Sequence, residues 1–166
     1  MQEQWAAAIT ERALAHWTDE RTKSILGDKQ LALHPRDAAV LLRALGLVRD
    51  DATMPPDRVR KFLQVDHVVR ILATALAGCT RIVDAGCGRS YLTLALAHVL
   101  RIPVLGIDRD AGVIDECRRR AALAGLAELA TYRVAELAAA RDEYRALVAA
   151  TGGAGIALAT RLGFSA

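Results

Sequence analysis

The sequence predicts an α/β fold, a doubly wound parallel sheet preceded by a helical N-terminal extension. Three observations predict it. From residue 57 onward, short apolar runs suited to buried strands alternate with helical stretches, the pattern of strand–helix–strand units with right-handed crossovers. The first run, Arg81-Ile-Val-Asp-Ala, leads into Gly86-Cys-Gly-Arg-Ser-Tyr91, a glycine turn ahead of a helix. The second, Val104-Leu-Gly-Ile-Asp108, also ends on an acid, twenty residues after Gly88.

Residues 2 to 26 read as one helix, with Trp5, Ile9, Leu14 and Trp17 near helical spacing and Gly27-Asp28 as its stop. A second helix starts at His34-Pro35-Arg36-Asp37. Val40, Leu41, Leu42, Leu45 and Leu47 form its apolar stripe, and Gly46 marks its end. Arg49 to Pro56 is polar and closes on Pro55-Pro56, which reads as a linker. Residues 1–56 are therefore a helical N-terminal region and 57–166 the α/β part. The third helix starts near Asp57, is lined by Val59, Phe62, Leu63, Val69, Leu72 and Leu76, and closes at Gly78. Strand one is Arg81 to Asp84, followed by a helix over Tyr91 to Leu100. Pro103 introduces strand two, Val104 to Ile107. A helix over Ala111 to Ala124 stops at Gly125, and strand three is Ala130 to Val134. An alanine-rich helix over Ala135 to Ala150 is broken by Thr151-Gly152-Gly153. Gly155 to Thr160 suits a short fourth strand.

The chain has 166 residues, enough for one domain with a real core. At 53% hydrophobic and 25% charged it is globular in composition. The net charge of +3 comes almost wholly from arginine, the only lysines being Lys23, Lys29 and Lys61. Arg118-Arg119-Arg120 is the one tight basic cluster, which suits a solvated helix face better than a phosphate-binding patch. Cys79, Cys87 and Cys117 are odd in number and irregular in spacing, against both a disulfide framework and a C-x-x-C zinc site. No secretory signal and no apolar run of membrane-spanning length is visible, so the expected location is cytoplasmic.

The glycine turn carries the chemistry. Gly86 and Gly88 allow a sharp turn and close approach of a ligand to the main chain. The helix behind them points its N-terminus at that ligand, which favours a carboxylate or phosphate. Two acid-tipped parallel strands place a nucleotide-like ligand at their carboxyl ends, where Asp108 can accept from ribose hydroxyls. The dinucleotide pattern G-x-G-x-x-G is incomplete, because Tyr91 takes the third glycine position. Asp108 serves a dinucleotide site equally well, so it does not choose between cofactors. It also suits a helix N-cap, a role that Asp110 can fill. Lys61, Gln64 and His67 share the polar side of the third helix, where a solvated face is the plainer reading. Cys87 reads as a small filler inside the turn.

Lys61-Phe-Leu-Gln-Val-Asp-His67 and Val83-Asp-Ala-Gly-Cys-Gly-Arg-Ser-Tyr-Leu-Thr93 together carry a resemblance. From Lys61 to about Leu137 the chain resembles class I S-adenosylmethionine-dependent methyltransferases, a Rossmann-like fold. It is similar to a group of methyltransferase-like proteins with Asp-x-Gly-Cys-Gly-Lys-x-Tyr-Leu. The resemblance implies S-adenosylmethionine as cofactor. Asp84 would meet the methionine amine and Gly86, Gly88 and the following helix the carboxylate. Ser90 would cap that helix or donate to the same carboxylate. Asp108 would meet the ribose, and Glu136, after strand three, the adenine amino group. It implies methyl transfer to RNA or to a small molecule, and no catalytic base or metal site is assignable. A class I sheet has seven strands, so residues 57–166 are expected to hold the front half of one. Such a half-sheet exposes an edge for homodimerisation. The alternatives are an inactive methyltransferase-like fragment serving as an interaction module, and an NAD-binding domain.

Overall fold

The computed structural model describes residues 2–136, 138, 139, 141, 142 and 144–146, together with the backbone of 156–160. Residues 2 to 26, one helix by sequence, are two: α1 (Gln2–His16) and α2 (Asp19–Leu26). Thr18 is extended, and its hydroxyl accepts from the Arg21 amide at 3.2 Å. This N-cap starts α2 afresh, with Asp19 and Glu20 in the first turn. Leu14 is 50% exposed and leaves the apolar stripe, which runs through Ile9 and Ala13 to Trp17.

Trp17 sits fully buried in the break, and its indole N–H donates to the Ala52 carbonyl at 2.8 Å. Trp17→Phe leaves that carbonyl without its donor and is expected to cost about 1–3 kcal/mol in urea unfolding. A loss no larger than that of an exposed substitution such as Leu14→Ala would show the bond to be unimportant.

α3 (Ala39–Ala44) is shorter than its stripe suggests, because residues 34–38 form turns in which the His34 carbonyl accepts from the Asp37 and Ala38 amides. Leu41, Leu42, Leu45 and Leu47 are buried nonetheless. α4 (Pro56–Ala75) starts on proline, whose missing N–H costs nothing at a first helical position. It buries Phe62, Val65 and Val69, and also Asp66, whose Oδ1 accepts from the Ala32 and Leu33 amides at 2.8 and 2.9 Å. The chain divides into two compact units, Met1–Leu72 and Ala73–Ala166. The division falls inside α4, whereas linker composition places it at residue 56.

The second unit holds the sheet: β1 (Arg81–Ala85), β2 (Val104–Asp108), β3 (Ala130–Val134) and β4 (Ile156–Thr160). The spatial order is β3-β2-β1-β4, and every pair is parallel. α5 (Tyr91–Leu100) connects β1 to β2, and α6 (Ala111–Leu123) connects β2 to β3. Asp84 lies opposite Gly106, and Gly106 opposite Tyr132. Alternation puts Val83, Ala85 and Ile107 in an apolar cluster on one face, with Leu105 and Ala135 packed against it. Asp84, Gly106 and Tyr132 belong to the other face.

The chain runs from β1 through β2 to β3 in one direction, and β4 then pairs on the far side of β1. The strand order therefore reverses at β1, and a doubly wound fold opens its ligand crevice at the carboxyl end of such a strand. Of the helix expected over Ala135–Ala150, Ala138, Ala139, Arg141, Asp142 and residues 144–146 are helical, while Ala135 and Glu136 precede it. Thr151-Gly152-Gly153 and Gly155 lie outside the described residues. Among the described residues no helix is long and apolar enough to cross a membrane.

Candidate cofactor-binding site

Asp84, the fourth residue of β1, is almost fully buried, and its Oδ2 accepts from the Thr93 hydroxyl of α5 at 2.5 Å. The turn that follows is left-handed at three residues, Gly86 (φ 76°), Gly88 (φ 51°) and Ser90 (φ 66°). Two of the three are glycine, which meets this conformation without steric cost.

The turn's amides are largely taken up within the fold. Gly86 and Cys87 both donate to the Ile107 carbonyl, at 2.7 and 3.0 Å, and Ser90 donates to the Cys87 carbonyl at 3.0 Å. The Gly88 amide donates to Asp108 Oδ2 at 2.9 Å. The bonds to Ile107 and Asp108 lash the turn to the end of β2. Local sequence does not reveal them, because the acceptors come from a strand about twenty residues away.

Ser90 departs from its expected role as a cap. It is the residue before α5, yet its side chain makes no capping bond. It is fully buried, and its hydroxyl pairs with the Tyr132 hydroxyl of β3. The left-handed backbone turns Oγ away from the helix amides, so the first turn of α5 keeps its amides for other acceptors. Tyr132 is buried as well, and burial pushes its phenol well above the usual tyrosine range.

Asp108 ends β2, partly exposed. Besides Gly88, it accepts from the Asp110 amide at 3.1 Å through Oδ1. Asp110 itself caps α6, accepting from the Val113 amide at 3.0 Å. Asp108 is thus freed from capping. Each of its oxygens has a second lone pair available to a hydroxyl donor. Glu136 stands exposed two residues past β3, whose end is tied to β2 by the Ala135 amide on the Asp108 carbonyl at 2.9 Å. Asp84, the glycine turn, Asp108 and Glu136 therefore stand along one edge of the sheet, at the carboxyl ends of β1, β2 and β3.

Sequence reasoning missed Thr93, Tyr132 and Cys117. Only Gly106 signalled one of them: a glycine inside a strand marks close approach, here of the Tyr132 ring. Gln64 and His67 of α4 are exposed in the first compact unit, with His67 Nδ1 3.1 Å from Arg70 Nη2.

The arginine triplet is held on its own helix. Arg118 pairs with Asp115 at 2.9 Å, and Arg119 and Arg120 share Glu116 at 2.6 and 2.8 Å. Beside them lies an open cavity of about 520 Å³ lined by Arg89, Asp110, Gly112, Val113, Glu116 and Arg120. Hydrogen bonds from Arg119, then from Arg120, hold the Glu116 carboxyl down at about 2. Because its folded pKa is depressed, the stability from this cluster is present above about pH 4.5 and is lost as pH falls toward 2. Glu116→Gln is expected to flatten the unfolding profile across that window, and an unchanged profile would mean the contacts do not form in solution.

Among solved structures, the chain is similar to a geranyl diphosphate methyltransferase in complex with SAM, at 24% identity over 48% of this chain and 34% of that one (TM-score 0.41). It is also similar to the O-methyltransferase TomG from Streptomyces achromogenes in complex with SAM, at 21% identity over 76% and 52% (TM-score 0.45). A third is the geranyl diphosphate C-methyltransferase from Streptomyces coelicolor A3(2), at 20% identity over 80% and 46% (TM-score 0.42). The chain spans about half the length of these structures or less. No curated protein matches it. A family model described as a methyltransferase domain matches residues 60–151, more than half of the 166 residues, and the chain belongs to that methyltransferase-domain family.

Proposed function

We propose that this chain binds S-adenosylmethionine at the carboxyl end of β1 and serves as the cofactor-binding part of a methyltransferase. The reversal of strand order at β1, with Asp84 and the glycine turn standing on it, carries this reading. The donor set fits the cofactor. A buried carboxylate at Asp84 matches the methionine ammonium, and the α5 start without a side-chain cap matches the methionine carboxylate. The Asp108 carboxylate, with lone pairs to spare, matches the ribose hydroxyls, and the exposed Glu136 matches the adenine amino group. Bound there, the cofactor supplies an electrophilic methyl on sulfonium.

The chain's own part is positional. Asp84 and the α5 N-terminus hold the amino-acid end, and Gly86 and Gly88 let the backbone come close. Asp108 couples the ribose position to the turn through the Gly88 amide. Gly86 and Gly88 act through their shape, since their amides are taken up by Ile107 and Asp108. Tyr91, bulky at the third glycine position, with the Arg120 guanidinium 5.9 Å from its ring centre, does not favour the dinucleotide alternative. The acceptor is RNA or a small molecule. Internal pairing of Arg118, Arg119 and Arg120 gives RNA no support from that triplet. A reducing, cytoplasmic setting suits the free thiols of Cys79, Cys87 and Cys117.

Titration calorimetry with S-adenosylmethionine tests the proposal. Binding is expected, and Asp108→Ala is expected to weaken it by about 1.5–3 kcal/mol, roughly 10- to 150-fold. A folded sample that gives no heat at millimolar ligand, or an Asp108→Ala variant with unchanged affinity, overturns the reading.

A further inference from the structure

Cys87 and Cys117 are 30 positions apart in sequence, yet they meet beneath the glycine turn. Cys87 is in the turn itself, and Cys117 is on α6. Both are buried, Cys117 completely. Their Sγ atoms approach one acceptor, the Gly88 carbonyl oxygen, at 3.9 and 3.1 Å. Both are free. Neither has a place in cofactor binding as derived above, so the pairing is unexplained by it.

We propose that Cys87 and Cys117 form a redox pair that a peroxide converts to an intramolecular disulfide, stapling the glycine turn to α6 and weakening cofactor binding. The second half of this proposal rests on the S-adenosylmethionine reading; the first does not.

The chemistry balances with hydrogen peroxide as oxidant. The Cys117 sulfur attacks one peroxide oxygen, the O–O bond breaks, and a sulfenic acid and water result. The Cys87 sulfur then attacks the sulfenic sulfur, its S–H proton leaves with the hydroxyl as a second water, and the S–S bond forms. The order follows from the surroundings. The neighbouring Cys87 thiol draws Cys117 below the usual thiol range, with the nearby Arg120 charge adding to it. The Cys117 thiol beside it, then burial, raises Cys87. Cys117 is enclosed, so peroxide reaches it only when the turn lifts. A ligand seated on the turn therefore slows the reaction.

The consequence for binding is geometric. A disulfide sets the two sulfurs about 2.05 Å apart, well inside the non-bonded contact of two thiols. Closing that gap drags Cys87, and with it the Gly88 amide that holds Asp108 at 2.9 Å. It also removes the S–H donor that Cys117 gives the Gly88 carbonyl at 3.1 Å.

Trypsin separates the three cysteines, since Arg70, Arg81, Arg89, Arg109 and Arg118 bracket Cys79, Cys87 and Cys117 in different peptides. The full chain is treated with hydrogen peroxide, alkylated with N-ethylmaleimide, and mapped without reductant. A link between the Ile82–Arg89 and Asp110–Arg118 peptides is expected, at a yield independent of protein concentration, reversible by dithiothreitol, and slowed by S-adenosylmethionine. Oxidised protein is expected to bind S-adenosylmethionine at least about tenfold more weakly, with recovery on reduction. Cys117→Ala is expected to abolish the link and, together with Cys87→Ala, to leave affinity insensitive to peroxide. Full alkylation of both cysteines after peroxide, or links only through Cys79 between chains, overturns the proposal. A disulfide that forms without changing affinity overturns the switch. A disulfide that forms in a chain with no affinity in its reduced state removes the cofactor reading and leaves the redox pair standing.

Discussion

Asp84→Ala is expected to abolish measurable S-adenosylmethionine binding and to lower stability by about 1–3 kcal/mol, because it strands a buried hydroxyl donor. The carboxylate is almost fully enclosed, and the Thr93 hydroxyl, itself fully buried, donates to it at 2.5 Å. Two losses are combined in one substitution, and Thr93→Val separates them. It removes the hydroxyl but keeps the carboxylate, so it is expected to cost comparable stability while leaving affinity within about tenfold of the parent. Calorimetry and urea unfolding on the two variants decide between the roles. If Asp84→Ala binds the cofactor as tightly as the parent, Asp84 is a structural acid and the ligand's amine lies elsewhere.

Gly106→Ala is expected to destabilise the second unit by about 1–3 kcal/mol through overpacking. A Cβ at residue 106 falls 2.7 and 2.8 Å from two Tyr132 ring carbons and 3.1 Å from the Cys87 sulfur. The ring cannot swing aside cheaply, since its hydroxyl is tied to Ser90 and the side chain is buried. The effect should reach the cofactor turn, because Ser90 and Cys87 both belong to it. The check is a double-mutant cycle. In a Tyr132→Leu background the added methyl has room, so the Gly106→Ala cost should shrink, with a coupling of about 0.5–3 kcal/mol. Additive costs in the cycle would mean that the strand, not the ring, rejects the methyl.

Much of this fold is written in local pattern. Short runs of strand length, an acid at the end of the first two and the glycine pair between strand and helix predicted β1, β2 and β3 to within a residue of their ends. The N-terminal helices were less legible. The apolar spacing of Trp5, Ile9, Leu14 and Trp17 runs through residue 17, while Thr18-Asp19-Glu20 carries a start signal that outweighs it, since capping satisfies amides that periodicity leaves bare. Ser90 illustrates the opposite failure. Its position before a helix suggests a cap, but a left-handed backbone and a tyrosine from another strand claim its hydroxyl. Asp66 gave no signal at all, because its partners are the amides of Ala32 and Leu33, over thirty residues away.

Order along the chain, the turn beside β1 and the acids at the strand tips are thus properties of the amino-acid string. Each depends on side-chain period or on glycine's tolerance of positive φ, both short-range. Packing alone settled three other matters: β4 pairing on the far side of β1, the turn amides binding Ile107 and Asp108, and Cys117 joining Cys87 at the Gly88 carbonyl. These join groups separated by twenty residues or more. Strand register and the seating of helices on the sheet determine which such groups meet, and no local propensity encodes that choice.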